Sequence, residues 1–212
     1  MLIVIEGIDG AGTTTQASRL ADSLAAAGDD VHLTREPSDG PVGRLLRELL
    51  SGAHATVDQT TLSLLFAADR ADHIGREVAP AIARGAIVVS DRWYHSSLAY
   101  QGTGEERAWI WQLNRSARRP DLTIFLRVDP EVAARRRELR GGAEEMFDHI
   151  ATQRRVAAGY EAAIAMLAAS ERIVSLDGHL SADDLASQIA RLARETCQVG
   201  ESEPTSTRGD GL

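Results

Sequence analysis

Apolar residues follow two alternating rhythms along the chain. Short β-branched or aliphatic runs at residues 2–5, 31–33, 86–89, 122–128 and 173–176 read as strands. Helical spacing fills the intervals. Ala17, Leu20, Ala21 and Leu24 recur over residues 14–27 and stop at Gly28. Val42, Leu45, Leu46, Leu49 and Leu50 form a second stripe behind Pro41, which suits a first helical turn. Asp58 is placed to cap a long third helix burying Leu62, Leu65, Phe66, Ile74 and Val78, with a kink expected near Pro80 and an end at Gly85. A further helix is predicted over residues 105–116, and two more on either side of a polar segment at 135–145. The last opens at Ser181, where Asp184 nearly completes a capping box. Strands alternating with helices predict an α/β fold, a mainly parallel sheet covered on both faces. Residues 198–212 are polar and rich in Gly, Ser and Thr, so they read as a disordered tail behind a single domain at 1–197.

Composition narrows the partners. The net charge of −8, from 23 basic against 31 acidic side chains, argues against nucleic acid or an anionic membrane as general partners. One cysteine, Cys197, cannot form an internal disulfide. No apolar run reaches transmembrane length, and the first residues lack the basic region of a signal peptide, so a cytoplasmic location is expected. Histidines 32, 54, 73, 95, 149 and 179 show no metal-ligand spacing, and His73 and His95 read as surface or pocket-wall residues.

The strongest local signal is Gly7-Ile8-Asp9-Gly10-Ala11-Gly12-Thr13-Thr14, after the first strand and opening the first helix. It is the phosphate-loop pattern G-x-x-x-x-G-K-[ST] with Thr13 in the lysine position. Glycines let backbone N–H groups turn inward around phosphate oxygens, and the helix N-terminus adds partial positive charge. Thr14 then has its hydroxyl placed for Mg²⁺. A lysine would follow charge onto the bridging oxygen during phosphoryl transfer, whereas threonine carries none. Three explanations stand open: charge from elsewhere, slow catalysis, or nucleotide binding without turnover.

Four blocks extend the pattern: Glu6 to Gly12, Thr34-Arg35-Glu36-Pro37, Leu65-Phe66-Ala67-Ala68-Asp69-Arg70, and Asp91-Arg92-Trp93-Tyr94-His95-Ser96-Ser97-Leu98-Ala99-Tyr100-Gln101-Gly102. In these blocks the chain resembles bacterial thymidylate kinases, over roughly residues 1–194. The resemblance implies a three-layer nucleoside monophosphate kinase fold, a five-stranded parallel sheet flanked by helices, with ligands at the carboxyl ends of the strands. It implies ATP- and Mg²⁺-dependent phosphorylation of dTMP to dTDP, on the way to dTTP, by a homodimer. The alternative is a nucleotide-binding protein whose kinase activity is impaired or lost through Thr13. A kinase for another monophosphate, or for a deoxynucleoside, is a third reading.

Residue by residue, the resemblance assigns Phe66 to stacking on thymine and Arg70 to its O4. Four residues apart on one helix, they share a face; without the resemblance, ordinary helix core is the favoured reading of Phe66. Arg35 and Arg92, at strand ends, match the arginines that hold the acceptor's phosphate. Asp91 ends the third strand where phosphate-loop enzymes keep an acid near the metal. Asp9 matches the contact to the deoxyribose 3′-hydroxyl, and Ser97, Tyr100 and Gln101 match positions lining base and sugar. Tyr100 would crowd a ribose 2′-hydroxyl. Trp93 departs from the usual Tyr or Phe. A phosphate monoester is largely dianionic at pH 7, so no strong general base is called for. The lid is placed at residues 135–148. In thymidylate kinases with Gly at the position of Gly10, lid arginines reach the phosphates, which makes Arg136 and Arg137 candidates for the charge missing at Thr13. The downstream Glu144, Glu145 and Asp148 fit the family's lid pattern poorly.

Overall fold

Every predicted apolar run becomes a strand, each with slightly different ends: β1 (Leu2–Gly7), β2 (Val31–Arg35), β3 (Ile87–Asp91), β4 (Leu122–Arg127) and β5 (Ile173–Asp177). The computed structural model describes residues 1–52, 57–102, 106–141, 146–147 and 149–202. The strands form one parallel sheet in the order β2-β3-β1-β4-β5. Central β1 is buried throughout, and its side chains alternate between two cores, as the two-residue strand period requires. Leu2 and Val4 join Val88, Trp93, Leu98 and Ile110 on one face. Ile3 and Ile5 join Leu20, Leu24, Ile124 and Ile189 on the other. Each such aliphatic side chain contributes about 1.5–3 kcal/mol on burial.

The helices are α1 (Thr13–Ala26), α2 (Pro41–Leu50), α3 (Gln59–His73), α4 (Ala79–Ala83), α5 (Tyr94–Tyr100), α6 (Glu106–Asn114), α7 (Pro130–Arg140), α8 (Ile150–Leu167) and α9 (Ala182–Ser202). Helix α1 buries the four residues its spacing marks. Asp58 caps α3 by accepting from the Thr61 amide at 2.6 Å. Ser181 caps α9, accepting from the Asp184 amide at 3.1 Å while its hydroxyl donates to the Asp184 carboxylate at 2.7 Å.

Three expectations are corrected and one is sharpened. Leu45 points outward, 41% exposed, while Leu46 and Leu49 carry the buried stripe of α2. The long third helix is divided near Pro80: a π-helical turn at Ile74–Val78 follows α3, and Pro80 sits in the first turn of α4. Residues 135–140 belong to α7 rather than to a polar connection, because straight-chain arginines propagate a helix well. Helix α9 continues to Ser202, beyond the start of the expected tail, since extending an established helix costs little per residue. His54, Glu105, Glu144, Glu145, Asp148 and residues 203–212 lie outside the described residues. Helix α5 had no periodic signal of its own; it is too short for one.

Helices α5 and α8 pack tightly because Gly159 of α8 lies against the Ala99 backbone. Beneath this contact runs a buried polar chain. Glu6, at the end of β1, accepts from the Trp93 amide at 2.7 Å, the Ser96 hydroxyl at 2.7 Å and the Tyr160 hydroxyl at 2.9 Å. His95 lies between Glu6, 3.6 Å from its Nδ1, and Glu171, 2.9 Å from its Nε2. Burial works against charge on His95, yet its hydrogen bond to Glu171 and the nearby carboxylate of Glu6 outweigh burial and raise its pKa. Burial likewise pushes Glu6 up, but His95, Arg92 and Ser96 together bring it below the usual carboxylate range. The expected surface or pocket-wall place for His95 is therefore wrong: it is 1% exposed and holds two acidic residues together.

Two outcomes follow. Gly159→Ala forces a methyl group against a carbonyl that cannot move without its helix, and should cost about 1–3 kcal/mol in chemical denaturation. A histidine whose folded pKa is raised stabilises fully below its unfolded pKa and loses that contribution as pH rises through the folded one. The melting-temperature deficit of His95→Gln should therefore shrink as the pH rises above about 6.5. A deficit constant with pH would rule out the imidazole as the titrating group.

Candidate active site

At the carboxyl end of β1 the chain turns through Gly10 and Gly12, with φ of 91° and 98°, into α1. Only glycine adopts this backbone freely, and the N-terminus of α1 opens onto the cavity beyond. Gly10 answers a second demand. A Cβ there would overlap the carbonyl of Ala133 and approach the Arg137 side chain, so its absence lets α7 dock on the loop. Arg137 caps the contact by donating to the Asp9 carbonyl.

Thr14 and Asp91 meet beside the loop, the threonine hydroxyl donating to Asp91 Oδ2 at 2.5 Å. Asp91 Oδ1 is buried without a partner. A hydroxyl beside a carboxylate with one unused oxygen fits a hard divalent cation that keeps most of its waters.

The phosphate loop borders a cavity of about 830 Å³ that also takes in Arg35, Arg47, Arg92, Arg136, Arg137 and Arg140. Arg35 reaches Asp39 at 3.1 Å, and this bond, with burial opposing and Arg47 assisting, lowers the Asp39 pKa. Arg47 spans the carbonyls of Pro37 and Ser38, each at 2.7 Å, and Asp39 at 2.9 Å. Arg136 donates to the Gly178 carbonyl at 2.9 Å. Arg135 lies outside this lining and is exposed. Thr13 is buried at the base of the cavity, 6% exposed.

A second cavity of about 150 Å³ adjoins the first and shares Asp9, Glu36, Pro37, Leu50 and Arg92 with it. Phe66, Arg70, Ser97, Tyr100 and Gln101 line it, so the anticipated acceptor residues do converge. Arg35 stands in the larger cavity, beside the join. Trp93 forms part of the smaller wall, fully buried, its indole N–H donating to the Arg118 carbonyl at 3.0 Å.

Asp9 ties the two cavities together. Its Oδ1 accepts from Arg92 at 2.5 Å, and its Oδ2 from the Tyr100 hydroxyl at 2.9 Å and Gln153 at 3.2 Å. Burial pushes the Tyr100 phenol well up, which keeps it protonated and donating. Arg92 has φ of 77°, a left-handed conformation that costs a non-glycine residue on the order of 1–3 kcal/mol. Its other nitrogen reaches Ser96 at 3.2 Å and Tyr160 at 3.1 Å, so the surroundings hold the strained residue in place.

Sequence reasoning missed Arg47, Glu36, Phe147, Gln153 and Tyr160. Glu36 stood inside a quoted block without a role. Gln153 and Tyr160 lie on α8, whose stripe reads as ordinary core. His73 is also corrected: 1% exposed and absent from both linings, it is buried behind Glu36.

A sequence model of the thymidylate kinase family matches residues 5–189. The "Probable thymidylate kinase" of Pyrobaculum aerophilum is 41% identical over 194 residues, covering 91% of this chain and 95% of that protein. That of Pyrococcus abyssi is 43% identical over 164 residues, covering 74% and 80%. The "Thymidylate kinase" of Ruegeria pomeroyi is 38% identical over 199 residues, covering 91% and 93%. With a family match spanning both cavities and similarity along nearly the full length of its relatives, the chain belongs to the thymidylate kinase family.

Proposed function

We propose that the chain transfers the γ-phosphoryl group of ATP to dTMP, giving ADP and dTDP. One observation carries the reading: an arginine-lined cavity at the phosphate loop opens directly into a smaller cavity edged by an aromatic ring and a buried arginine. The larger suits the polyphosphate and the phosphate of the acceptor; the smaller suits a single pyrimidine with its sugar. In this reading a phosphate oxygen of dTMP attacks the γ-phosphorus, and the bond to the β,γ-bridging oxygen breaks as ADP leaves.

Phe66 stacks on the base, Arg70 donates to its carbonyl, and Ser97, Tyr100 and Gln101 enclose base and sugar. Asp9 accepts from the sugar hydroxyl. Arg35 and Arg92 hold the acceptor's phosphate, which is already anionic and needs no base to activate it. Backbone N–H groups of Gly7 to Thr14 hold the ATP phosphates. Thr14 and Asp91 would hold Mg²⁺, which neutralises charge on the ATP phosphates. Arg136 and Arg137 provide the cationic contact absent at Thr13, and the docking of α7 on Gly10 puts them within the same cavity as the loop. The reading includes a cytoplasmic homodimer. Leu45, Leu64 and Trp109 are exposed on α2, α3 and α6, with α3 packed against both others, and offer apolar surface for a second copy.

A coupled assay with ATP and Mg²⁺ across several monophosphates should give dTMP the highest kcat/KM; binding without turnover would overturn the reading. Arg137→Ala should lower kcat by about 10- to 1,000-fold with the dTMP KM little changed. No change in kcat for both Arg136→Ala and Arg137→Ala would refute the compensating role of α7. Leu64→Arg should shift the mass in light scattering from dimer to monomer.

A further inference from the structure

Behind the smaller cavity lies a buried ionic cluster that the phosphoryl-transfer chemistry does not use. Arg70 is 2% exposed and gives Nε and Nη2 to the same oxygen of Glu36, at 2.9 and 2.6 Å. Its remaining contacts are the Ser97 hydroxyl, 3.2 Å from both terminal nitrogens, and the Asn114 side-chain carbonyl. Its guanidinium carbon sits 5.9 Å from the centre of the Trp93 ring. The other oxygen of Glu36 is 3.2 Å from Nδ1 of His73, whose Nε2 is 2.7 Å from the Thr34 hydroxyl. A carboxylate only accepts, so Nδ1 carries the proton that faces Glu36. The ring edge of His73 packs against Trp93 at 5.9 Å.

This cluster has two unusual features. Glu36 lines both cavities, where an unpaired carboxylate would repel the phosphates, so its charge is acceptable only while Arg70 neutralises it. And Arg70 is fixed at every nitrogen: Glu36 and Asn114 grip it firmly, while Ser97 is held by long contacts that a ligand's acceptor can replace. A guanidinium carries donors only, and one so fixed presents them in one place and direction. Opposite it, a ring carbonyl accepts, whereas a ring amino group would set donor against donor and leave buried N–H groups unpaired. A site built this way discriminates far more strongly than an apolar pocket does.

We propose that Glu36, seated by His73, is the positioning pair that holds the donors of Arg70 at a fixed edge of the smaller cavity, and that this pair sets the preference for a pyrimidine bearing a carbonyl over one bearing an amino group. The inference rests on the reading that the smaller cavity receives the base of the acceptor. Glu36→Gln removes the charged grip, frees Arg70 to swing, and adds an amide carbonyl able to accept from an amino group. His73→Leu acts one step further back, at a residue that touches neither cavity. His73→Gln keeps an N–H donor towards Glu36.

The test compares kcat/KM for dTMP and dCMP within each variant, a ratio independent of how much of the preparation is folded. Glu36→Gln should lower the dTMP:dCMP ratio at least about 10-fold, mainly through a higher KM for dTMP with kcat changed less than about twofold. His73→Leu should move the ratio the same way by about 3- to 10-fold, and His73→Gln should restore most of it. KM for ATP should stay constant in all three. If both substrates decline equally, so that the ratio holds, the pair is merely structural and the proposal is overturned. If the parent protein fails to phosphorylate dTMP, the underlying reading fails instead, an outcome distinct from the first.

Discussion

Two phosphate-bearing ligands must be brought end to end, and their repulsion is the constraint the site is built around. Each pair of unit charges held about 4 Å apart at a protein's edge costs about 4 kcal/mol. A chain with net charge −8 has no general excess of positive charge to offset this. It concentrates six arginines around one cavity instead, drawn from β2, α2, the end of β3 and α7. Sheet topology makes this possible, since parallel strands deliver all their carboxyl ends to a single edge.

Arginines packed so closely repel one another, and the fold answers by giving several of them an acidic partner. Asp9 holds Arg92, Asp39 serves both Arg35 and Arg47, and in the adjoining smaller cavity Glu36 holds Arg70. The partners differ in burial, and their effects differ accordingly. Arg35 and Asp39 are solvent-exposed, so their pairing is worth little and yields readily to a phosphate. Arg70 and Glu36 are almost wholly enclosed, so breaking that pair would strand a charge. The first kind of arginine is free to follow a reacting group; the second is a fixed part of the wall. Glu6 extends the same logic inward, tying Ser96 and Tyr160, and through them Arg92, to the end of the central strand.

The sheet was legible because the buried central strands β1, β3 and β4 carry near-continuous apolar runs, while the partly exposed edge strands β2 and β5 show shorter β-branched or aliphatic stretches. The phosphate loop was legible because its glycines have a conformational purpose. The candidate acceptor residue Phe66 could be placed only through resemblance, as its spacing alone fits ordinary core, whereas Arg70 on the same helix face fits core poorly. What stayed hidden has a common cause. Glu36, His73, His95 and Gln153 act through partners between about 34 and about 144 positions away in the chain, and no local pattern encodes such a pairing. His95 was misread for this reason: beside an exposed-looking Ser-Ser pair, nothing local signals that Glu6 and Glu171 enclose it. The arginines of α7 were read as a polar connection because charge was weighed above helix propensity, which arginine satisfies well.

Thr13 makes sense in this light. A lysine in the loop is one way to carry positive charge on a rigid element; a helix that docks on the loop is another. Gly10 decides between them sterically, because any side chain there would push against Ala133 and hold α7 away. With glycine in place, Arg137 reaches the carbonyl of Asp9, so the loop and the helix share one anchor with the pair Asp9–Arg92. Charge in a guanidinium held against the loop carbonyl differs from charge on a flexible ammonium: it is delocalised, planar and able to contact two oxygens at once. In the proposed function the two loop features that seem unrelated in the sequence, a missing lysine and a missing side chain three residues earlier, become parts of a single arrangement in which the loop supplies shape and the neighbouring helix supplies charge.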